Sequence, residues 1–192
     1  TKYPASPAAA FYLYRYFTYQ LPLDELKATR AKISSELAGC PYVKDLDGII
    51  KQLENVQIGK VAPEFSLPDT AGVSVSLSDF RGKYVIVDFW DSYCHWCREE
   101  TPWLRKALEA FKGKNFTILG VSDDRKKELW LAAIKEDHSN WDHLLLPPKT
   151  DIFTTYCIKG IPHIILVGPD GKILAKEMRH EELTDVPANF IK

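Results

Sequence analysis

The chain has 192 residues, 45% of them hydrophobic and 27% charged, with a formal net charge of -1 at pH 7. That length is ample for a single core, and the near-neutral balance gives no electrostatic reason to expect nucleic acid or an anionic membrane surface as a partner. No apolar run approaches the ~20 residues that span a bilayer, and four cysteines in a chain this long do not make a disulfide scaffold.

The chain opens at Thr1 rather than Met, which reads as a processed or truncated product; a signal peptide or anchor would lie upstream of it. Residues 1–57 show no strand pattern and read as a helical extension. Ser6 can cap a helix running to about Gln20. Pro22-Leu-Asp-Glu starts a second, with Leu26, Ile33 and Leu37 at helical spacing and an end near Gly39. Val43, Leu46, Ile49, Ile50, Leu53 and Val56 mark a third. Phe11, Tyr12, Tyr14, Tyr16, Phe17 and Tyr19 cover too many faces of the first helix for one core stripe. They either pack on the rest of the chain or dock an upstream domain.

Residues 58–192 alternate. Phe65–Leu67 and Val73–Leu77, joined across Asp69-Thr-Ala-Gly72, read as a β-hairpin. Then come a strand over 83–91, a helix over 95–112, a strand over 115–122, a helix over 126–137, a short strand near Leu144–Leu146 and a helix-like turn before Tyr156. A strand over 163–168 turns through Pro169-Asp-Gly171 into another over 172–178, and a helix covers 181–191. This order predicts an α/β fold: a mixed central sheet with helices on both faces.

Cys94-His95-Trp96-Cys97 falls where the strand before it gives way to the helix after it. Unpaired N–H groups at a helix N-terminus favour a thiolate at Cys94, and Cys97 lies three residues on, within disulfide reach. Cys94 is the candidate nucleophile and Cys97 the resolver. A structural disulfide or half a zinc site would need the same spacing, but Cys40 and Cys157 are isolated and no His pair supplies further ligands. Cys40 and Cys157 read as buried free thiols, with a bridge between them as the alternative. Asp88 lies on a strand that otherwise reads as buried, where a carboxylate is costly unless protonated or paired; the alternative is an edge strand with Asp88 facing water.

Residues 58–192 resemble the thioredoxin fold in its TlpA/ResA-like thiol–disulfide oxidoreductase branch, a redoxin or AhpC-TSA-type domain. The resemblance rests on Gly59-Lys-Val-Ala-Pro63-Glu-Phe65, Leu77-Ser-Asp-Phe-Arg-Gly-Lys83, Val87-Asp88-Phe89-Trp90 before the cysteines, Cys97-Arg98-Glu99-Glu100-Thr101-Pro102 after them, and Gly160-Ile161-Pro162. It implies that Asp88 accepts the proton of the resolving cysteine. It also implies that Glu100 influences thiol acidity, where the alternative is a solvated helix charge like Arg98 and Glu99. Pro162 would be cis, facing the cysteines, and the Ile161 backbone would pair with an extended substrate strand; a trans proline opening a strand is the alternative.

Trp90, Tyr93 and Trp96 are expected to form an apolar landing surface around the pair. Tyr93 stands where the family most often has Trp, and Trp96 where thioredoxins have Pro. His95, if protonated, would stabilise the Cys94 thiolate, and His163 is a weaker candidate for the same role. The resemblance further implies the bacterial cell envelope or periplasm, protein disulfides as substrates, a membrane-bound electron donor, and no bound cofactor or metal. A peroxiredoxin-like peroxidase is the rival enzyme, though the strand before Cys94 lacks the proline of peroxidatic motifs. A redox-inert interaction module with a stapling disulfide is the rival without catalysis.

Overall fold

A computed structural model of the chain describes residues 2–192. Helix α1 (Pro7–Tyr12), with proline in its first turn, runs directly into a π-helical turn over Leu13–Phe17. The Thr18 hydroxyl ends it by donating to the Tyr14 carbonyl at 2.6 Å. α2 (Leu23–Arg30) stops nine residues short of Gly39, the expected end. The chain turns there and makes one 3-10 turn, Ser35–Leu37, with the Ser34 side chain accepting from the Glu36 N–H. Adjacent serines offer the backbone such local partners in place of helical ones. The turn also buries Ile33 against Ala10, Leu13 and Leu26 and against Val43, Leu46 and Ile50 of α3 (Pro41–Asn55). Arg30 and Asp47 pair in a fork across α2 and α3. Val56, just beyond α3, packs instead into the core below the sheet.

The remaining elements follow the expected order, most with shorter ends, though β1 is shifted by one residue and β5 starts two residues earlier. They are the hairpin β1 (Ser66–Pro68) and β2 (Ser74–Ser76), β3 (Tyr84–Trp90), α4 (His95–Ala110), β4 (Phe116–Ser122), α5 (Lys127–Glu136), β5 (Asp142–Leu145), α6 (Ile152–Thr155), β6 (His163–Val167), β7 (Ile173–Lys176) and α7 (Glu182–Ala188). The five-stranded sheet has the order β5-β4-β3-β6-β7. β3, β4 and β5 run parallel; β6 is antiparallel to both β3 and β7.

β3 is the central strand, and its side chains alternate between two cores, as the pleat requires. Val85, Val87 and Phe89 join Leu119, Val121, Ile165 and Val167 on one face, under the hairpin, α6 and Tyr156. Ile86 joins Ile118, Ile164 and Leu166 on the other, under Leu104 and Ala107 of α4 and Leu183 of α7. Parallel strands joined by helices carry the chain from β3 through α4 to β4, so α4 starts at the C-terminal end of the central strand. That connection sets the cysteines beyond the C-terminal end of the central strand.

Candidate active site

Cys94 is the N-cap residue of α4, with its Sγ accepting the Cys97 N–H at 3.1 Å. The two form a disulfide with Cα atoms 5.2 Å apart; Cys94 is half-buried and Cys97 buried. The loop before them is pinned from beneath. The Asp124 carboxylate, itself buried, accepts from the Ser92 N–H at 2.9 Å, the Ser92 hydroxyl at 2.5 Å and the Ser122 hydroxyl at 2.7 Å. Arg98 holds the start of α4 to the end of α5 by donating to both Asp137 oxygens and to Glu136, so it is no freely solvated charge.

Asp88 does not face water. It is 5% exposed on the face of β3 covered by α4, and its Oδ1 takes no hydrogen bond from the protein among the described residues. Burial pushes its carboxyl up to about 7, and the charge of Glu100 pushes the same way while Arg179 opposes both. A carboxyl poised there is largely able to take or give a proton near neutral pH.

Glu100 is also buried rather than solvated. It accepts the His180 N–H at 2.8 Å, and its other oxygen lies 3.4 Å from His180 Nδ1 and 4.0 Å from Arg179 Nε.

The Ile161–Pro162 peptide is cis. Ile161 packs against the cluster of Trp90, Cys97, Trp130 and Ala133, as Cys94 does, so this loop lies beside the disulfide. The Pro162 carbonyl accepts from Arg179. Arg179, His180 and Asp124 were missed in the sequence, because their partners lie up to 80 residues away and no local pattern marks them.

Three aromatic expectations divide. Tyr93 and Trp96 are 71% and 68% exposed beside the cysteines. Trp90 is buried and cannot be part of a landing surface; alternation along β3 puts it with Asp88 on the inner face, against Trp130 and His143. His95 points outward, its Nε2 3.1 Å from Glu99 Oε1 and its ring against Trp96. His163 pairs across the sheet with Phe89 and so lies on the face opposite Asp88, its Nδ1 2.9 Å from Glu177. It does not face the dithiol. Cys40 and Cys157 are unpaired and half-buried, and burial pushes the Cys157 thiol up.

One further row emerges only from register. Asp88 pairs with Gly120 on β4, which pairs with His143 on β5. A Cβ on Gly120 would come within 2.5 Å of His143 Nδ1 and 3.1 Å of Trp90 Nε1, so only glycine lets those rings lie there. Burial pushes His143 down to about 4, leaving it neutral, with Nε2 donating to the Ser139 carbonyl at 3.1 Å.

The comparisons agree with this geometry. Residues 58–176 match the AhpC/TSA family. The thiol–disulfide oxidoreductase ResA of Bacillus cereus is 30% identical over 132 residues, 67% of this chain and 74% of that protein. The chain belongs to the AhpC/TSA family.

Within that family it is a TlpA/ResA-like member of the thioredoxin superfamily. The thioredoxin domain of a thiol–disulfide oxidoreductase from Bacteroides vulgatus is 52% identical and superposes with a TM-score of 0.69, covering 71% of this chain and 99% of that one. A thiol–disulfide oxidoreductase from Bacteroides fragilis is 36% identical with a TM-score of 0.63, covering 68% and 99%. This family member is therefore an enzyme of the thiol–disulfide oxidoreductase type, with Cys94 and Cys97 as its disulfide.

Proposed function

We propose that this oxidoreductase reduces selected disulfides of protein substrates in the bacterial cell envelope, using residues 58–192 as the redox domain and 1–57 as a helical extension. The Cys94 thiolate attacks a substrate disulfide and forms a mixed disulfide, releasing one substrate thiolate. Cys97 then gives its proton to the Asp88 carboxylate and attacks Cys94 Sγ. The second substrate thiolate leaves, and Cys94–Cys97 is left oxidised. Two electrons move from dithiol to substrate, and a membrane-bound donor would return the protein to the dithiol. The cysteines carry the electrons themselves, so the exchange needs no cofactor.

The observation that carries this reading is Asp88: a buried carboxyl, pushed up to about 7, on the sheet face beneath the helix that holds Cys97. A stapling disulfide has no use for such a group, and unpaired buried acids are otherwise costly. The exposed rings of Tyr93 and Trp96 give an extended substrate an apolar surface. Ile161, packed against the cluster that holds Cys97, supplies backbone groups for strand pairing.

The test is to trap the intermediate. Cys97→Ser should accumulate mixed disulfides on Cys94 in envelope extracts, and the unmutated protein should reduce insulin. No trapped partner together with no insulin reduction would overturn the proposal. Peroxide consumption at an enzymatic rate would put a peroxidase in its place.

A further inference from the structure

Between β7 and α7 the chain makes a turn over Glu177–His180. Its two ends, Glu177 and His180, are non-glycine residues in the left-handed region, at φ 58° and 50°. Such backbone is uncommon for residues with a Cβ and persists where surrounding contacts hold it. Here the contacts come from both faces of the sheet. Glu177 meets His163, the His180 N–H meets Glu100, and Arg179 stands between them.

The Arg179 guanidinium is shared among four groups. It donates to the Pro162 carbonyl at 2.5 Å and to the Met178 carbonyl at 2.8 Å. It lies 4.0 Å from Glu100 Oε1 and 3.7 Å from Glu177 Oε2. A planar fork of fixed donors can hold a carbonyl and two carboxylates together; a lysine ammonium, a point charge on a flexible stem, can keep the charge but not the fork.

The geometry points to Arg179 as a positioning residue that ties the Ile161–Pro162 loop, where a substrate backbone would dock, to the buried acids Asp88 and Glu100. This rests on the proposed dithiol exchange. One side chain then serves docking and proton transfer together, so losing it disturbs both. The charged groups acting on Asp88 are Glu100 from α4 and Arg179 from the turn; His180 contacts Glu100, and His143 lies two strands over, beyond Gly120. Glu177 and His163 lie on the far side of Arg179. Removing that arginine raises the proton affinity of Asp88, because a nearby cation favours the ionised carboxylate and its loss leaves burial and the charge of Glu100 unopposed.

The experiment compares Arg179→Met and Arg179→Lys with the unmutated protein. Two readouts are taken: carboxyl titration of Asp88 by carbon-13 NMR, and KM for insulin. For Arg179→Met the Asp88 midpoint should rise by about half to one pH unit, and KM should rise about tenfold with the loss of a charge-assisted bond. Arg179→Lys should keep the midpoint within roughly 0.3 unit while still raising KM several-fold. A folded Arg179→Met with the original midpoint and KM overturns the inference, as does a lysine variant that leaves KM unchanged. If the methionine variant does not fold, the lysine variant decides. Failure of the parent reading would look different: the unmutated protein itself would not reduce insulin.

Discussion

The two faces of β3 are built from the same seven residues and do opposite things. Val85, Val87 and Phe89 meet apolar neighbours, and the large polar group among them, Tyr156, is satisfied by donating its hydroxyl to the Pro63 carbonyl at 2.5 Å. Ile86, Asp88 and Trp90 begin the same way, with Ile86 in an apolar core, but the last two residues enter polar ground. Asp88 Oδ1, Trp90 Nε1, Trp130 Nε1, Trp141 Nε1 and His143 Nδ1 are all buried without a protein partner; among the described residues only His163 Nε2 shares that state on the other face. One face is therefore spent on burial, which holds the sheet. The other gives up satisfied hydrogen bonds at the end of the strand nearest Cys94, where groups able to exchange protons are needed.

The comparison breaks first, and by most, at Asp88. Asp88→Asn should slow the resolving step by about 10²–10⁴-fold, measured as decay of a trapped mixed disulfide, since a neutral amide accepts no proton. The same variant tests the cost of the polar face. An acid whose folded pKa lies above its unfolded value adds stability below pH ~4 and loses it as pH rises through about 7. The stability of the unmutated protein relative to Asp88→Asn should therefore fall by up to about 4 kcal/mol between pH 4 and pH 7.5 in denaturant melts. Parallel stability curves would show that Asp88 is not held protonated.

On the opposite face, Phe89→Ala should cost about 3–5 kcal/mol through the cavity it leaves among Phe153, Tyr156 and His163. It should leave the Asp88 midpoint in place; a shift there would mean the faces are coupled. Outside both faces, Trp96→Ala should raise KM for insulin about fivefold, roughly 1 kcal/mol, without moving the melt, because the ring is exposed. The smallest effect belongs to His95→Gln. An exposed i,i+4 pair with Glu99 contributes about 0.3 kcal/mol, so insulin reduction should change less than about twofold.

What could be read from sequence follows from the range over which each signal acts. Cys94-x-x-Cys97 at a strand–helix junction, the odd carboxylate in a β-branched strand and the proline before β6 are local patterns, and each stands where its pattern put it. The mixed sheet with helices on both faces followed from the alternation of elements, whereas the strand order depends on pairing between distant segments. The position of Trp90 was also legible: period two along β3 places it with Asp88, so treating it as surface overlooked a signal that was present. The row Asp88–Gly120–His143 needs the register of three strands. The Glu177–His180 turn needs the fold to bring it beside Glu100. The early end of α2 is a contest between helical spacing and two serines, decided by where Ile33 packs.

Carbon-13 titration of the Asp88 carboxyl in the disulfide form tests the central claim most directly. A midpoint near 7, lowered neither by Phe89→Ala nor by Trp96→Ala, is the expected result. A midpoint near 4, that of an ordinary solvated aspartate, would contradict it and leave Cys97 without a proton acceptor.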